Sequence, residues 1–388
     1  MTKSELRNPK EARDLKACAV VGWLSKPSPV FGLPPSFGFR SFGFRFLPFA
    51  LMTAKLLAAD VALEWQQLPP IPDPIGFAGP YAGVSGDALI VAGGANFPDQ
   101  PPWEGGRKVW HDTAFVLDRT NGAWRGVFKL PRPLGYGVSV TTPAGVLCIG
   151  GSDERQHVRD VFLLAWQAGK LRHRPLAPLP APLANSCGAV AGHTVYVAGG
   201  TESPDATNAL KNFWSLDLRQ RGAQWKQLNP WPGPARMLAV AAVRGDSFYV
   251  IGGTDLAPDA DGKPVRSYLK DAYRYTPAQG WTRVADLPNP VVAAPTPAPV
   301  ISPTQFLIIG GDDGSLANFE PRSRHPGFPK RVLGYDAERD AWAVLGEVPA
   351  SRATLPTVNW RGWFVMPSGE SRPGVRSPEV WAVRAGTP

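Results

Sequence analysis

A carboxylate and a guanidinium six residues apart, Glu370 and Arg376, stand on either side of a Pro373-Gly374 turn in the segment SGESRPGVRSPEVW, Ser368 to Trp381. A turn between them folds the two flanks together, so both groups can reach one place. A carboxylate beside a guanidinium is a pair that can do acid/base or anion-binding chemistry. The same spacing suits an ordinary loop salt bridge, which does no chemistry. The scaffold that carries the loop decides between them.

That scaffold is written as a repeat. Gly93-Gly94, Gly150-Gly151, Gly199-Gly200, Gly252-Gly253 and Gly310-Gly311 each end a short apolar run, at intervals of roughly fifty to sixty residues. A sixth unit, GWFVMPSGE from Gly362, keeps the apolar run and one glycine, and its next residue is Glu370. Each unit reads as a small-residue strand, the apolar strand, a variable loop, a third strand such as AFVLD from Ala114, and a fourth strand led by Trp124, Trp225, Trp281 or Trp342, with Leu171 in the second unit. Four strands per unit make one propeller blade. The segment EWQQLPPIP, from Glu64, is a fourth-type strand left over ahead of the first unit, and the chain ends after a third-type strand at Arg384. Joining the two completes the last blade and leaves no open sheet edge. The expected fold is all-β, a six-bladed propeller of four antiparallel strands per blade, closed by the N-terminal strand. The Gly-Gly and Trp pattern resembles the kelch repeat, a fold that serves both enzymes and binding platforms.

In a four-stranded meander the loops from second to third strand and from fourth to next first strand share one face. On that face they are long: Ala95 to Asp112, Thr201 to Lys211, Thr254 to Lys270 and Asp312 to Pro329. Long loops over one end of a rigid scaffold are where binding belongs, and Glu370 and Arg376 fall there.

Composition bounds the alternatives. The chain has 388 residues, 44% of them hydrophobic, with 14 Trp, 41 Gly and 43 Pro, enough for a large core and many turns. Of the net charge of +9, residues 1–59 carry nine Lys/Arg against three Asp/Glu, leaving +3 scattered over the remainder. That excludes a surface that tracks nucleic acid. Residues 1–59 stand outside the repeat and read as a leader, with residues 60–388 as the propeller. Within the leader, RSFGFRFLPFALMTAKLLAAD from Arg40 is similar to a secretory signal, which implies a periplasmic or secreted protein, and an upstream start would account for the residues before it. Lys55 interrupts the apolar stretch, so no membrane span is expected. Cys148 and Cys187 fall in buried strands and read as small apolar side chains. The five histidines, His111, His157, His173, His193 and His325, are dispersed, GGDDGS at Gly310 reads as a polar turn, and no phosphate loop or Gly-x-Ser-x-Gly elbow occurs. No metal and no cofactor is expected.

The order Gly-Glu-x-x-Pro-Gly-x-Arg, from Gly369 to Arg376, followed by an apolar strand, resembles the active loop of the N-acetylneuraminate epimerases, or sialic acid mutarotases, which are six-bladed kelch propellers. YAGVSGDALIVAGGANF at Tyr81 and YGVSVTTPAGVLCIGG at Tyr136 resemble units that lie late in the typical member, and PPWEGGRKVWHD from Pro101 resembles a branch of the family with cyclically permuted blades. The resemblance implies a small sugar acid as substrate and anomer exchange through the open-chain keto form. It implies Glu370 as acid/base, and Arg376 either as carboxylate fork or as stabiliser of charge. Arg236, Arg352 and Asn185, each just before a first strand, are candidate substrate-binding residues near the axis, and Asn96, Phe97, Trp103 and Trp110 are candidates for a lid or stacking wall. The competing reading is a non-catalytic kelch platform that binds a glycan or protein through the same face.

Overall fold

The structure is a computed structural model and describes residues 62–386. The leader and its signal lie outside these residues. Within them the chain forms five four-stranded antiparallel sheets and one three-stranded sheet, with three two-stranded hairpins in the loops. Blade 1, for example, is the meander Tyr81–Ser85, Ala88–Ala92, Thr113–Leu117 and Arg125–Lys129. The seam is closed as the sequence implies. Leu63–Leu68 pairs antiparallel with Val380–Ala385, from Leu63 opposite Ala385 to Leu68 opposite Val380, and becomes the outer strand of blade 6. Among the described residues no helix is long and apolar enough to cross a membrane.

Alternation along each strand builds the core. In blade 1, Leu89 and Val91 pack toward blade 6, against Val365 and Val380, while Ile90 and Ala92 pack toward blade 2, against Val146 and Phe162. Every inner strand is therefore apolar on both faces, which explains runs such as ALIVA. The tryptophans that lead fourth strands bury a ring and still satisfy their N–H: Trp124 donates to Pro69 O, Trp225 to Ala177 O, Trp281 to Asn229 O and Trp342 to Ala285 O, each a carbonyl at the exit of the preceding blade.

The glycine pairs are inter-blade joints. Gly93 and Gly94 both have positive φ, and the Gly94 N–H donates to Leu134 O of the next blade at 2.8 Å. A Cβ on Gly93 would sit 2.2 Å from that same oxygen, so neither the conformation nor the space admits a side chain. In the sixth unit the first glycine is replaced by Ser368, at φ 67, and its buried hydroxyl accepts from Phe77 N at 2.7 Å and lies 2.8 Å from Ser377 O. This serine joins the last blade to the first and to the end of the Glu370–Arg376 loop.

Blade 5 departs from the four-strand expectation. Its innermost segment, Pro295 to Val300, contains three prolines, which remove the donors a ladder needs. It keeps only an isolated bridge to Gln305–Ile309, Val300 opposite Phe306 with Leu307 N donating to Pro299 O, and its own N–H groups bond outward, Ala298 N to Ala241 O and Thr296 N to Leu355 O, in the neighbouring blades.

Candidate active site

Where each blade hands over to the next, one residue sits in the left-handed region: Gly79, Tyr136, Asn185, Leu238, Ala293 and Thr354. Each N–H donates to the carbonyl of the preceding member, at 2.6–2.9 Å, and Gly79 donates to Thr354, closing a hydrogen-bonded ring around the axis. Left-handed backbone costs a non-glycine residue about 1–2 kcal/mol, and a β-branched Thr354 is especially unusual there. The closed ring supplies the compensation by satisfying six buried N–H groups at once. The five side chains of this ring form the floor of a cavity of about 510 Å³ on the long-loop face.

A second tier stands on the floor. The residue after each glycine pair, Ala95, Ser152, Thr201, Thr254, Asp312 and Glu370, is bridged to the residue that precedes a ring member. Glu370 is thus the sixth unit's version of a repeated inward position. It begins the hairpin Glu370–Arg372 / Val375–Arg376, in which Glu370 lies opposite Arg376.

The two groups meet. Arg376 Nη2 is 3.5 Å from Glu370 Oε1, with side-chain exposures of 3% and 16%, so the guanidinium is buried and the carboxylate reaches the cavity. Arg376 is held on several sides: Nε donates to Ala95 O at 3.3 Å, Nη2 to the Tyr136 hydroxyl at 3.4 Å, and Phe97 lies 4.7 Å from its charge centre. Tyr136 is half-buried in the floor, and burial pushes its phenol up to about 12, so the hydroxyl stays protonated. Lys108 also lines the cavity, with its ammonium 5.2–6.0 Å from the rings of Tyr136, Trp110 and Phe97. On another wall His157 bridges Ser152 Oγ and Thr201 Oγ1, each at 3.0 Å, and Asn185 Nδ2 donates to the same Thr201 hydroxyl at 3.1 Å. Asp312 sits with the Tyr268 hydroxyl 3.4 Å away.

Of the residues named from sequence, Glu370, Arg376 and Asn185 are brought together here, and Trp110 forms part of the wall. Four are placed elsewhere. Arg236 is fully buried against Asp271, Trp231 and Tyr273, away from the cavity. Arg352 is buried behind the hairpin, donating to Ser351 O and Ser377 Oγ and paired with Glu379. Both precede a ring residue by two, where the other blades have Phe77, Leu134, Leu183 and Val291, all core positions. Asn96 is 1% exposed and holds the loop, donating to Gly76 O and accepting from His111 Nε2. Trp103 packs on the outer side of the hairpin, beneath Arg372 and beside Gly374. Reading the sequence also missed Lys108, His157 and Asp312 as cavity residues. For Asp312 the signal was present, since it follows a glycine pair as Glu370 follows Gly369.

His157 gives the site a measurable signature. Burial pushes its imidazole from the ordinary 6.5 down to about 4, so the folded protein holds it neutral. An unfolded chain takes up the proton near 6.5, so the stabilisation is complete above that pH and is lost as pH falls toward 4, at up to about 1.4 kcal/mol per pH unit. Urea midpoints of the protein are expected to fall between pH 6.5 and 4.5 more steeply than those of His157→Gln. Parallel curves for the two proteins would remove this role.

With the geometry in place, comparison with known proteins locates the chain. The family model described as N-acetylneuraminate epimerase matches residues 50–172 and 176–320. The chain is 39% identical over 130 residues to the N-acetylneuraminate epimerase of Yersinia pestis (strain Pestoides F), covering 28% of this chain and 31% of that one. It is 26% identical over 229 residues to that of Salmonella enteritidis PT4, covering 53% and 57%, and 38% identical over 135 residues to that of Brucella suis, covering 30% and 34%. The chain thus spans between 31% and 57% of the length of these relatives. Among solved structures, one titled "Structure of YjhT" superposes with a TM-score of 0.58 at 16% identity, over 80% of this chain and 94% of that one, a likeness of fold. A match that runs through most of the first five blades, on a closed ring of six, establishes that the chain belongs to the N-acetylneuraminate epimerase family.

Proposed function

We propose that the protein is a mutarotase that interconverts the α and β anomers of N-acetylneuraminate through the open-chain form. The observation that carries this reading is the Glu370 carboxylate, presented to a sugar-sized cavity while its partner Arg376 is buried 3.5 Å away. The relatives' shared name supports the substrate class.

Anomer exchange moves one proton from the anomeric hydroxyl to the ring oxygen as the bond between the anomeric carbon and that oxygen breaks. The open-chain 2-keto acid then rotates about the bond next to its carbonyl, and the reverse steps close the ring on the other face. A single carboxylate serves both halves: Glu370 takes the hydroxyl proton as base and returns it to the ring oxygen as acid. Arg376 stabilises negative charge near the carboxylate and on the oxygen as the bond breaks. The ring floor supplies a rigid platform, with the Asn185 side chain and the His157 wall available to sugar hydroxyls. We read the blade order as a circular permutation of the family's. Cutting a closed ring elsewhere leaves the same loops over the axis, so the site does not depend on where the chain begins.

The test is direct. Freshly released α-anomer, followed by proton NMR, is expected to reach its anomeric equilibrium faster with protein than without. An unchanged approach to equilibrium at micromolar protein overturns the reading, and would leave the face as a binding platform.

A further inference from the structure

The cavity contains a cation that the proton transfer does not use. Lys108, immediately before Val109–Trp110, the strand partner of Ala95–Asn96, lines the same cavity as Glu370. Three aromatic rings surround it, Tyr136 at 5.2 Å, Trp110 at 5.4 Å and Phe97 at 6.0 Å. Among the described residues it has no ion pair and no hydrogen bond. Of the other cations at the cavity, Arg376 is committed to Glu370, Ala95 O and the Tyr136 hydroxyl, Arg322 pairs with Glu320, and Arg266 is exposed on the strand Pro264–Tyr268 of the blade 4 loop.

The charges near the reacting position do not balance. Lys108 and Arg376 bring two positive charges to the place where Glu370 brings one negative. Burial and the nearby Arg376 both depress the lysine's pKa below the usual range, while Glu370 offsets only part of this, as expected for a cation short of a counter-ion. An ammonium is strongly hydrated and costs free energy to desolvate unless something replaces its water. The aromatic faces replace part of it. One monoanionic ligand group would bring the set to neutrality.

We propose that Lys108 is the anchor for the carboxylate of the substrate, and that this contact selects 2-keto sugar acids over neutral sugars. The proposal rests on the mutarotase reading for the identity of the ligand, and it divides the work between the two cations. Arg376, fixed by its own protein partners, serves the reacting oxygens, and Lys108 holds the acid group that does not react. It also explains why the free cation is a lysine: a point charge accepts a carboxylate from a range of directions, which lets the sugar turn as its anomeric carbon changes configuration while the anchor stays in place.

The test compares N-acetylneuraminate with its methyl ester, which keeps every hydroxyl and removes the charge. Calorimetric titration of the full chain is expected to show at least tenfold tighter binding of the acid. In Lys108→Met that preference falls to within about twofold, and in Lys108→Arg most of it returns. For anomerisation, Lys108→Met is expected to raise KM tenfold or more while kcat changes less than threefold. Circular dichroism establishes that each variant is folded. If folded Lys108→Met still prefers the acid tenfold, the anchor is wrong although the mutarotase reading stands. If Lys108→Met removes the preference but the unaltered protein does not speed anomer exchange, the mutarotase reading fails and the anchor stands. If the unaltered protein shows no preference for the acid, the anchor is also wrong.

Discussion

Glu370→Gln is expected to lower the catalysed rate of anomer exchange by about 10²–10⁴-fold, to within a few-fold of the spontaneous rate, in a protein that still folds and still binds the sugar acid. The substitution keeps the size of the side chain and an oxygen that can accept from Arg376 Nη2, now 3.5 Å away, so the hairpin pairing of residues 370 and 376 survives. What is lost is the carboxylate that faces Arg376. A neutral amide neither takes the anomeric proton nor returns one to the ring oxygen. The effect should lie in kcat, because the binding contacts argued above come from Lys108, Asn185 and the floor, none of which changes. Saturation NMR exchange or a coupled lyase assay, with protein concentration varied, separates the catalysed rate from the background. A folded Glu370→Gln variant with the full rate would show that the proton moves through another group, and Asp312, at the equivalent place in blade 5, would be the residue to examine. A variant that loses binding along with rate would instead make Glu370 a ligand-holding residue.

The propeller was legible because its punctuation has steric and hydrogen-bonding causes that recur in every unit. Glycine pairs mark joints where a Cβ would strike the next blade's carbonyl, as at Gly93 and Leu134 O. The fourth-strand tryptophans mark ring faces that need covering and an N–H that finds the preceding blade. The leftover strand from Glu64 had one sheet edge to go to, and it pairs there. The pairing of Glu370 with Arg376 was legible for a similar reason, since a Pro-Gly turn between opposite charges brings its two flanks together, whether as a salt bridge or as a site. The rest left weaker marks. Besides Gly79 and Asn185, types that favour positive φ, the ring of left-handed residues bears Tyr, Leu, Ala and Thr, which do not announce it, because the constraint there comes from six N–H groups satisfied around an axis and not from local preference. Lys108 and His157 lie in loops with no period, and their proximity to Glu370 is set by blades 1, 2 and 6 meeting over the axis. Arg236 and Arg352 were misplaced because charge was weighed ahead of register. Aligned with Leu134 and Leu183, their positions belong to the core, whatever residue fills them.

That register has a stability consequence with a large expected effect. Asp271→Ala is expected to destabilise the protein by about 3–5 kcal/mol, because it strands a buried cation. Arg236 is completely buried; its Nη2 donates to Asp271 Oδ2 at 2.7 Å, its Nη1 to Gly252 O at 2.9 Å, and its plane lies 5.4 Å from both Trp231 and Tyr273. Removing the carboxylate leaves the guanidinium with carbonyls and aromatic rings but no compensating charge, in a place water does not reach. Arg236→Met should cost less, since an apolar chain of similar length suits the site that Leu134 and Leu183 occupy in other blades, and the Asp271 side chain, 11% exposed against 0% for Arg236, lies nearer to solvent. The double variant Arg236→Met/Asp271→Ala should recover much of the loss, a non-additivity that identifies the stranded charge as the cause. Thermal midpoints, expected to fall by roughly 5–10 °C for Asp271→Ala alone, give the comparison. Activity measured well below those midpoints separates the two assignments of Arg236. A structural arginine leaves the anomerisation rate of Arg236→Met unchanged within twofold, whereas a tenfold loss in a stable Arg236→Met protein would mean that this side chain reaches the sugar after all.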